Sequence, residues 1–148
     1  EMFLAEKGEG AWYNGSRVVL DEDIEMKRSL VSYNLDYKDD ASYQAFAMAL
    51  YGKIAAEVLN VRSTNSGSDY AYAAVGKLAA TINLTNKIWD VAPVTLIARE
   101  AGCIVTDIEG KEPVFTVSRG ALERNYSIVI SHPRFHPLLL CLIRESRA

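Results

Sequence analysis

Short apolar runs at the start of the chain are spaced like the strands of a small sheet. They cover residues 2–5, 11–13 and 18–20, and they are separated by Gly8 to Gly10 and by the pair Asn14-Gly15. Asn-Gly between two apolar runs is a strong signal for a two-residue hairpin turn. We therefore predict an antiparallel strand meander within residues 1–28. A meander this small cannot bury its own apolar face, so we expect it to belong to a larger N-terminal sheet that this chain lacks.

From residue 29 to residue 148, apolar strands alternate with amphipathic helices. Phe46, Leu50 and Ile54 recur at helical spacing and predict a helix over residues 41–58. Further helices are predicted from the turn at 65–69, from Asp90 to Gly102 and from Pro133 to Glu145, and strands at 29–33, 59–62, 79–83, 104–106 and 127–130. This alternation predicts an α/β domain over residues 29–148, with a mostly parallel sheet and helices on both faces.

The segment from Trp89 to Gly102 predicts a buried helix with clear ends. Asp90 suits the N-cap, because its carboxylate can accept hydrogen bonds from the free N–H groups of the first turn. Pro93 then falls in that first turn, where its missing N–H breaks no helical hydrogen bond. Gly102 can adopt the left-handed conformation that ends a helix. On these grounds alone, Asp90 is a helix cap and nothing more.

Two motifs of this chain together resemble a known family of enzymes. Residues 89–92 read Trp-Asp-Val-Ala, and after an apolar run residues 100–102 read Glu-Ala-Gly. Residues 8–15 match a glycine-rich pattern that ends in Asn-Gly. The combination resembles the C-terminal part of the inositol monophosphatase family, which are magnesium-dependent phosphatases related to fructose-1,6-bisphosphatase. The resemblance implies that Asp90 is a ligand of Mg²⁺, the expected cofactor.

The resemblance also implies which residues contact the alcohol part of a phosphate monoester. Ser66, Gly67 and Ser68 match a Gly-Ser/Thr segment that touches this alcohol in the family, although capping of a helix by one of the serines explains them equally well. Asn83 lies six residues before Trp89, where many inositol phosphatases have a Glu that binds a sugar hydroxyl. The neutral amide at this position predicts a preference for a substrate other than inositol 1-phosphate.

The remaining magnesium ligands of the family are absent from the chain. In the family they come from an upstream Glu and an Asp-Pro-x-Asp-Gly-Thr segment, and no Asp-x-x-Asp-Gly-Thr occurs among these 148 residues. We therefore expect the C-terminal portion of a phosphate monoester hydrolase, acting on inositol phosphate or another sugar phosphate. We expect it to contain no catalytic residue of its own, to be inactive alone, and to form a homodimer when complete.

Two other classes of function stay open at this point. The first is a non-catalytic binding or regulatory module that kept the phosphatase fold. The second is a redox or nucleotide-binding α/β domain, which the absence of a Gly-x-Gly-x-x-Gly turn after a strand disfavours.

Composition and charge exclude several partners and mechanisms. The formal net charge is −3 and no basic cluster occurs, which argues against nucleic-acid binding. No apolar run approaches the ~20 residues of a membrane helix. We interpret Cys103 and Cys141 as reduced core thiols of a cytoplasmic protein, and His132 and His136 as surface residues. A Cys–His or Ser–His hydrolase is therefore poorly supported.

Overall fold

The computed structural model describes residues 1–116 and 118–147, so positions 117 and 148 of the predicted α/β domain lie outside it. Its strands are β1 (Phe3–Glu6), β2 (Gly10–Tyr13), β3 (Ser16–Arg17), β4 (Leu30–Asn34), β5 (Asn60–Arg62), β6 (Ala80–Asn86), β7 (Ile104–Thr106) and β8 (Tyr126–Ser131). Its helices are α1 (Ala41–Glu57), α2 (Gly67–Ala74), α3 (Ile88–Glu100), α4 (Arg119–Glu123) and α5 (His136–Glu145). A three-stranded sheet has the order β1-β2-β3, and a five-stranded sheet has the order β5-β4-β6-β8-β7. The predicted α/β class is confirmed.

The first sheet is built on the predicted Asn-Gly turn. Asn14 and Gly15 have positive φ angles of 49° and 82° and join the paired residues Tyr13 and Ser16. This is the left-handed backbone that a two-residue hairpin turn requires. Because the turn is so tight, β3 starts at Ser16, two residues before the apolar run at 18–20 that was predicted to form this strand. That part of the prediction was wrong.

The five-stranded sheet is mixed. β4 is parallel to β5 and β6, whereas β8 is antiparallel to both β6 and β7. The sheet is therefore less parallel than the alternation of elements predicted, because the segment between β7 and β8 returns to the same edge of the sheet. The carboxyl ends of β4, β5, β6 and β7 and the amino end of β8 all lie at that edge. We call it the carboxyl edge.

Helices cover both faces of the five-stranded sheet, as predicted. On one face α1 and α5 enclose an apolar cluster whose fully buried members include Tyr33, Leu50, Ile54, Ile82, Leu139 and Ile143. On the other face α2 and α3 pack on a second cluster that includes Tyr70, Val91, Ala98, Ile128 and Ile130. Within residues 1–116 and 118–147, no helix combines the length and the apolar composition needed to span a bilayer.

Helix α3 joins the two sheets. Near its C-terminal end, the Glu100 carboxylate accepts hydrogen bonds from the backbone N–H groups of Gly8 (2.9 Å) and Gly10 (3.0 Å). Both glycines have positive φ angles, 84° and 107°, so the turn between β1 and β2 presents its amides to one carboxylate. The first sheet is thereby fixed to the helix that carries Asp90.

Helix α3 begins earlier than predicted. Its N-cap is Lys87, and Asp90 is the third helical residue instead of the cap. The Asp90 carboxylate still serves the helix end, because Oδ2 accepts from the Lys87 N–H at 3.3 Å, as in a capping box. Pro93 consequently lies inside the helix and not in its first turn. The predicted positions of Asp90 and Pro93 in the helix were therefore wrong. The helix is capped at Lys87, and Asp90 completes the capping box from three residues further along.

Two of the predicted side-chain environments were also wrong. His136 is only 4% exposed. Both ring nitrogens are hydrogen-bonded inside the protein, since Ser131 Oγ lies 2.7 Å from Nδ1 and Thr106 Oγ1 lies 3.0 Å from Nε2. Burial lowers the pKa of this histidine. Cys141 is exposed on α5 and donates to the Glu145 carboxylate at 3.4 Å. Cys103 is buried as predicted, and burial raises the pKa of its thiol to about 12.

Candidate functional site

Buried polar side chains line the carboxyl edge beneath α2. In the register of β4 and β6, Ser32 lies opposite Thr81 and Asn34 lies opposite Asn83. Since side chains two residues apart point to the same face of a strand, these four groups share one face of the sheet. All of them are buried, with at most 2% of the residue exposed. The edge is therefore polar where the rest of this layer is apolar.

The turn that follows β5 is open to solvent and held from below. Asn65 has a φ of 49°, and its backbone N–H donates to Asn34 Oδ1 at 3.0 Å. Ser66 is the N-cap of α2, and its Oγ accepts from the Ser68 N–H at 3.3 Å. The two serine hydroxyls lie 2.9 Å apart, and Gly67 and Ser68 are exposed. The capping role of Ser66 is thus observed, while the outer side of the turn is free to contact a ligand.

Asp69 is a polar group of this edge that the sequence reasoning missed. Its residue is 4% exposed, and its carboxylate accepts from Ser32 Oγ at 2.8 Å and from Thr64 Oγ1 at 2.6 Å. A signal was present in the sequence, because Asp69 is four residues before Ala73, which was predicted to lie on the buried side of α2. Helical spacing could therefore have predicted that Asp69 is buried, but it could not have predicted which hydroxyl groups bind it.

Asn83 lies in the floor of the edge, and both its amide nitrogen and its amide oxygen are hydrogen-bonded. It donates to the Tyr70 hydroxyl at 2.8 Å and accepts from the Thr85 N–H at 2.9 Å. Tyr70 donates in turn to Asn86, which donates to the Tyr126 carbonyl at 2.9 Å. We call Asn83, Tyr70 and Asn86 the amide–tyrosine network. Only 2% of Asn83 is exposed, so it does not reach the surface directly.

Asp90 lies at the same edge and is exposed. Burial raises the pKa of Tyr70 to about 12, and the nearby carboxylates of Asp90 and Asp69 act in the same direction. The charge of Asp90 therefore acts electrostatically on Tyr70, a member of the amide–tyrosine network. Its Oδ2 is oriented by the Lys87 N–H, and Oδ1 accepts no hydrogen bond within the described ranges.

The residues present fit a magnesium ion only in part. An exposed, oriented carboxylate such as that of Asp90 is a hard oxygen ligand of the kind Mg²⁺ prefers. A near-octahedral ion needs further ligands, and among the described residues no group of three or more His, Cys, Asp or Glu is placed to hold a metal. The described residues therefore contribute one exposed carboxylate at this edge and do not form a complete metal site.

The predicted site residues all lie along one edge. Asn83 bonds Tyr70, whose pKa the Asp90 carboxylate also raises, and Asn34 anchors the turn that contains Ser66 to Ser68 to the same strands. Their arrangement combines an exposed carboxylate with two exposed or half-exposed hydroxyls above a buried polar floor. Such a surface can contribute to binding a cation and a hydroxylated ligand together.

Comparisons with known proteins identify the family of this chain. A family model described as the inositol monophosphatase family matches residues 1–148. The Nus factor SuhB of Vibrio cholerae serotype O1 is 30% identical over 147 residues, which are 99% of this chain and 52% of that protein. The chain thus spans about half the length of the curated relatives it matches.

Solved structures share the fold. The extragenic suppressor protein suhB from Bartonella henselae matches with a TM-score of 0.80 and 24% identity, over 97% of this chain and 52% of that one. A structure described as IMPase/NADP phosphatase complexed with Mg²⁺ and phosphate matches with a TM-score of 0.74 and 21% identity, over 95% of this chain and 48% of that one. The family match covers the whole sequence, so this chain belongs to the inositol monophosphatase family.

Proposed function

We propose that this chain supplies one metal ligand and the alcohol-binding side of the active site in a Mg²⁺-dependent phosphate monoester hydrolase. The observation that carries the proposal is the position of Asp90. The exposed carboxylate of the Trp-Asp motif lies at the same edge as the open turn formed by Ser66, Gly67 and Ser68. The Mg²⁺ and phosphate named for one structure of the same fold support the choice of ligand.

Asp90 is the residue that would hold Mg²⁺. Its Oδ2 is oriented by the Lys87 N–H, which leaves Oδ1 available for coordination. When bound, magnesium polarises the phosphate and lowers the pKa of a coordinated water. The task of Asp90 is to fix the position of the ion relative to the turn. Its further ligands, and the group that accepts the proton of the water, would come from protein outside this sequence.

The open turn is the part that would contact the alcohol. Hydroxyl groups both donate and accept hydrogen bonds, so Ser66 and Ser68 suit the hydroxyls of a sugar or a polyol. A Cβ built on Gly67 meets nothing within 4 Å, so the space above the turn is open. A ligand can therefore approach the backbone of the turn closely.

We propose that Asn83 influences substrate choice through Tyr70. Because the Asn83 amide already bonds Tyr70 and Thr85, it is not free to bond a sugar hydroxyl as an exposed carboxylate would. A site built around a given set of hydrogen bonds rejects a ligand that leaves one of them unmade. We therefore place the preferred substrate among sugar or nucleoside phosphates other than inositol 1-phosphate.

The proposal also includes partners that this sequence does not contain. Met2, Leu4 and Trp12 line an open cavity of about 210 Å³ on the first sheet, and Met2 and Leu4 are 60% and 54% exposed. An apolar face of this kind is normally covered. We propose that the additional half present in the relatives covers it, that the complete protein is a homodimer, and that it acts in the cytoplasm, where its thiols stay reduced.

A regulatory module is the second candidate function. One observation favours it: the amide–tyrosine network occupies the position where inositol phosphatases have a free carboxylate. The name Nus factor, carried by relatives of about twice this length, also points in this direction.

Replacement of Asp90 by Asn distinguishes the two functions. An Asn at this third helical position keeps an oxygen that can accept from the Lys87 N–H, so the variant should retain most of its stability. In the full-length gene product, assayed with Mg²⁺ and a panel of phosphate monoesters, we expect at least about 100-fold loss of kcat/KM for a lost metal ligand. The 148-residue chain alone should show no Mg²⁺-dependent turnover. Equal activity of the variant and the wild type would contradict the metal role, and an inactive wild type would favour the regulatory module.

A further inference from the structure

Asp69 is a buried carboxylate to which the proposed function gives no role. Its residue is 4% exposed, although burying a charge is costly unless hydrogen bonds compensate for the lost water. No cationic side chain of the described residues forms an ion pair with it. Hydrogen bonds from hydroxyl groups compensate for the water that the carboxylate has lost. The positions of these hydroxyl groups therefore indicate the role of the carboxylate.

The two hydroxyls come from different layers of the protein. Ser32 Oγ donates from the middle of β4 at 2.8 Å. Thr64 Oγ1 lies within hydrogen-bond distance of both oxygens of Asp69, 2.6 Å from Oδ2. Thr64 directly precedes the open turn at residues 65–68. The carboxylate therefore joins the central sheet to the first residue before the turn.

Hydrogen bonds from the sheet and from α2 hold the backbone of the turn. Asn65 has a φ of 49°, a left-handed conformation that asparagine adopts more readily than most residues other than glycine. Asn34 Oδ1 holds the Asn65 N–H from the sheet side at 3.0 Å. Asp69 holds the preceding residue, Thr64, from the helix side. With both anchors in place, Ser66 is directed to cap α2, and Gly67 and Ser68 face solvent.

We infer that Asp69 is a positioning residue that holds the turn at residues 65–68 in its ligand-binding conformation. The inference rests on the proposed function of that turn. Ser32 and Thr64 both donate to the ionised carboxylate, at Oδ2. An amide at position 69 still offers one oxygen there, but it replaces charge-assisted hydrogen bonds by neutral ones, which are about half as strong.

Amide hydrogen exchange on the full-length gene product tests the positioning directly. Weaker hydrogen bonds at position 69 allow the turn to open, so Asp69→Asn should speed exchange about tenfold at Asn65 and Ser68, whose N–H groups are hydrogen-bonded within the turn, with α1 and α5 unchanged. Thr64→Val, which removes the hydroxyl at nearly constant volume, should reproduce the effect, and Thr64→Ser should restore the wild-type rate.

Asp40→Asn is the matched control. Asp40 also accepts from a hydroxyl and from backbone N–H groups, at Ser42 and Tyr43, but it caps α1 far along the chain from the turn. This variant should leave exchange at residues 65–68 unchanged. Wild-type exchange at the turn in both Asp69→Asn and Thr64→Val would overturn the inference.

Kinetics of the full-length gene product test the link to the substrate. With Mg²⁺ and its best phosphate monoester, Asp69→Asn and Thr64→Val should raise KM about tenfold with kcat changed less than about twofold, because binding and not chemistry is affected. Thr64→Ser and Asp40→Asn should keep the wild-type KM. If exchange at the turn is faster but KM stays at the wild-type value, the inference is wrong. Loss of activity in Asp90→Asn would show that the proposed function nevertheless holds. Lack of Mg²⁺-dependent turnover in the wild type would instead refute the proposed function together with it.

Discussion

The carboxyl edge contains two kinds of polar group that differ in what they have left to bind. The amide–tyrosine network is closed, because the hydrogen-bonding groups of Asn83, Tyr70 and Asn86 are occupied by one another and by the backbone. Asp90 and the turn at Ser66 to Ser68 are open, with one carboxylate oxygen and the outer hydroxyls facing solvent. The comparison teaches that polarity alone does not identify a binding residue. A group must also have hydrogen-bonding capacity that the fold leaves unused, as the open groups do.

Substitution in the closed network should have the largest effect on stability. Tyr70→Phe leaves the Asn83 NH₂ group and the Asn86 oxygen without a partner, and a buried unsatisfied group costs about 1–3 kcal/mol. Ser68→Ala, in the open turn, should change the free energy of unfolding by less than about 0.5 kcal/mol. Urea unfolding of both variants measures the difference. Similar values for the two would mean that the network is not closed in solution.

Asn83→Glu should convert the closed group into a partly open one. A carboxylate cannot donate to the Tyr70 hydroxyl, so the network must rearrange and leave acceptor capacity at the edge. In the full-length gene product we expect the ratio of kcat/KM values between polyol phosphates and other phosphate monoesters to rise about tenfold. The control is Asn86→Asp, which alters the same network away from this position. A uniform change for all substrates would show that position 83 does not affect substrate choice.

His136 lies on the other side of the sheet and is also buried and hydrogen-bonded. We expect its protonation to have the smallest effect on the free energy of unfolding. Burial lowers the pKa of His136, so the folded protein resists its protonation while the unfolded chain takes up a proton near the ordinary value of about 6.5. The free energy of unfolding is therefore highest above that pH and decreases as the pH falls below it. Thermal unfolding from pH 7.5 to about 5.5 measures this slope. His136→Gln should flatten it, whereas His132→Gln should not.

Local patterns predicted most of the fold. The apolar spacing of α1 gave its extent to within one residue, because a long periodic segment carries its own signal. Asn14-Gly15 fixed a hairpin, since the backbone of that turn is determined by two residues alone. The pattern from Trp89 to Gly102 predicted α3 with Asp90 at its amino end, although the exact position of Asp90 in the helix was wrong.

The misses share a physical cause. His136 bonds hydroxyls on β7 and β8, and Asp69 bonds hydroxyls on β4 and just before the turn. One partner of each, Thr106 and Ser32, lies 30 and 37 residues away in the sequence, and the other lies five residues away. Hydropathy treats such polar residues as surface groups, because it cannot count partners that only folding brings near. The engagement of the Asn83 amide escaped prediction for the same reason. Sequence patterns predicted the strands and helices that form the carboxyl edge. They did not predict which polar groups at that edge are already hydrogen-bonded within the protein.

The bond between Glu100 and the turn of the first sheet has a practical consequence for protein engineering. Glu100 and Asp90 stand near opposite ends of α3, and a helix of 13 residues is about 20 Å long. Because the helix is stiff, the small sheet and the carboxylate of Asp90 keep a fixed separation and orientation. A chimera that grafts the additional half of a relative onto this chain should therefore be joined ahead of β1. A junction between β3 and β4 would bring in a foreign turn at residues 8–10 and would lose the alignment that Glu100 provides.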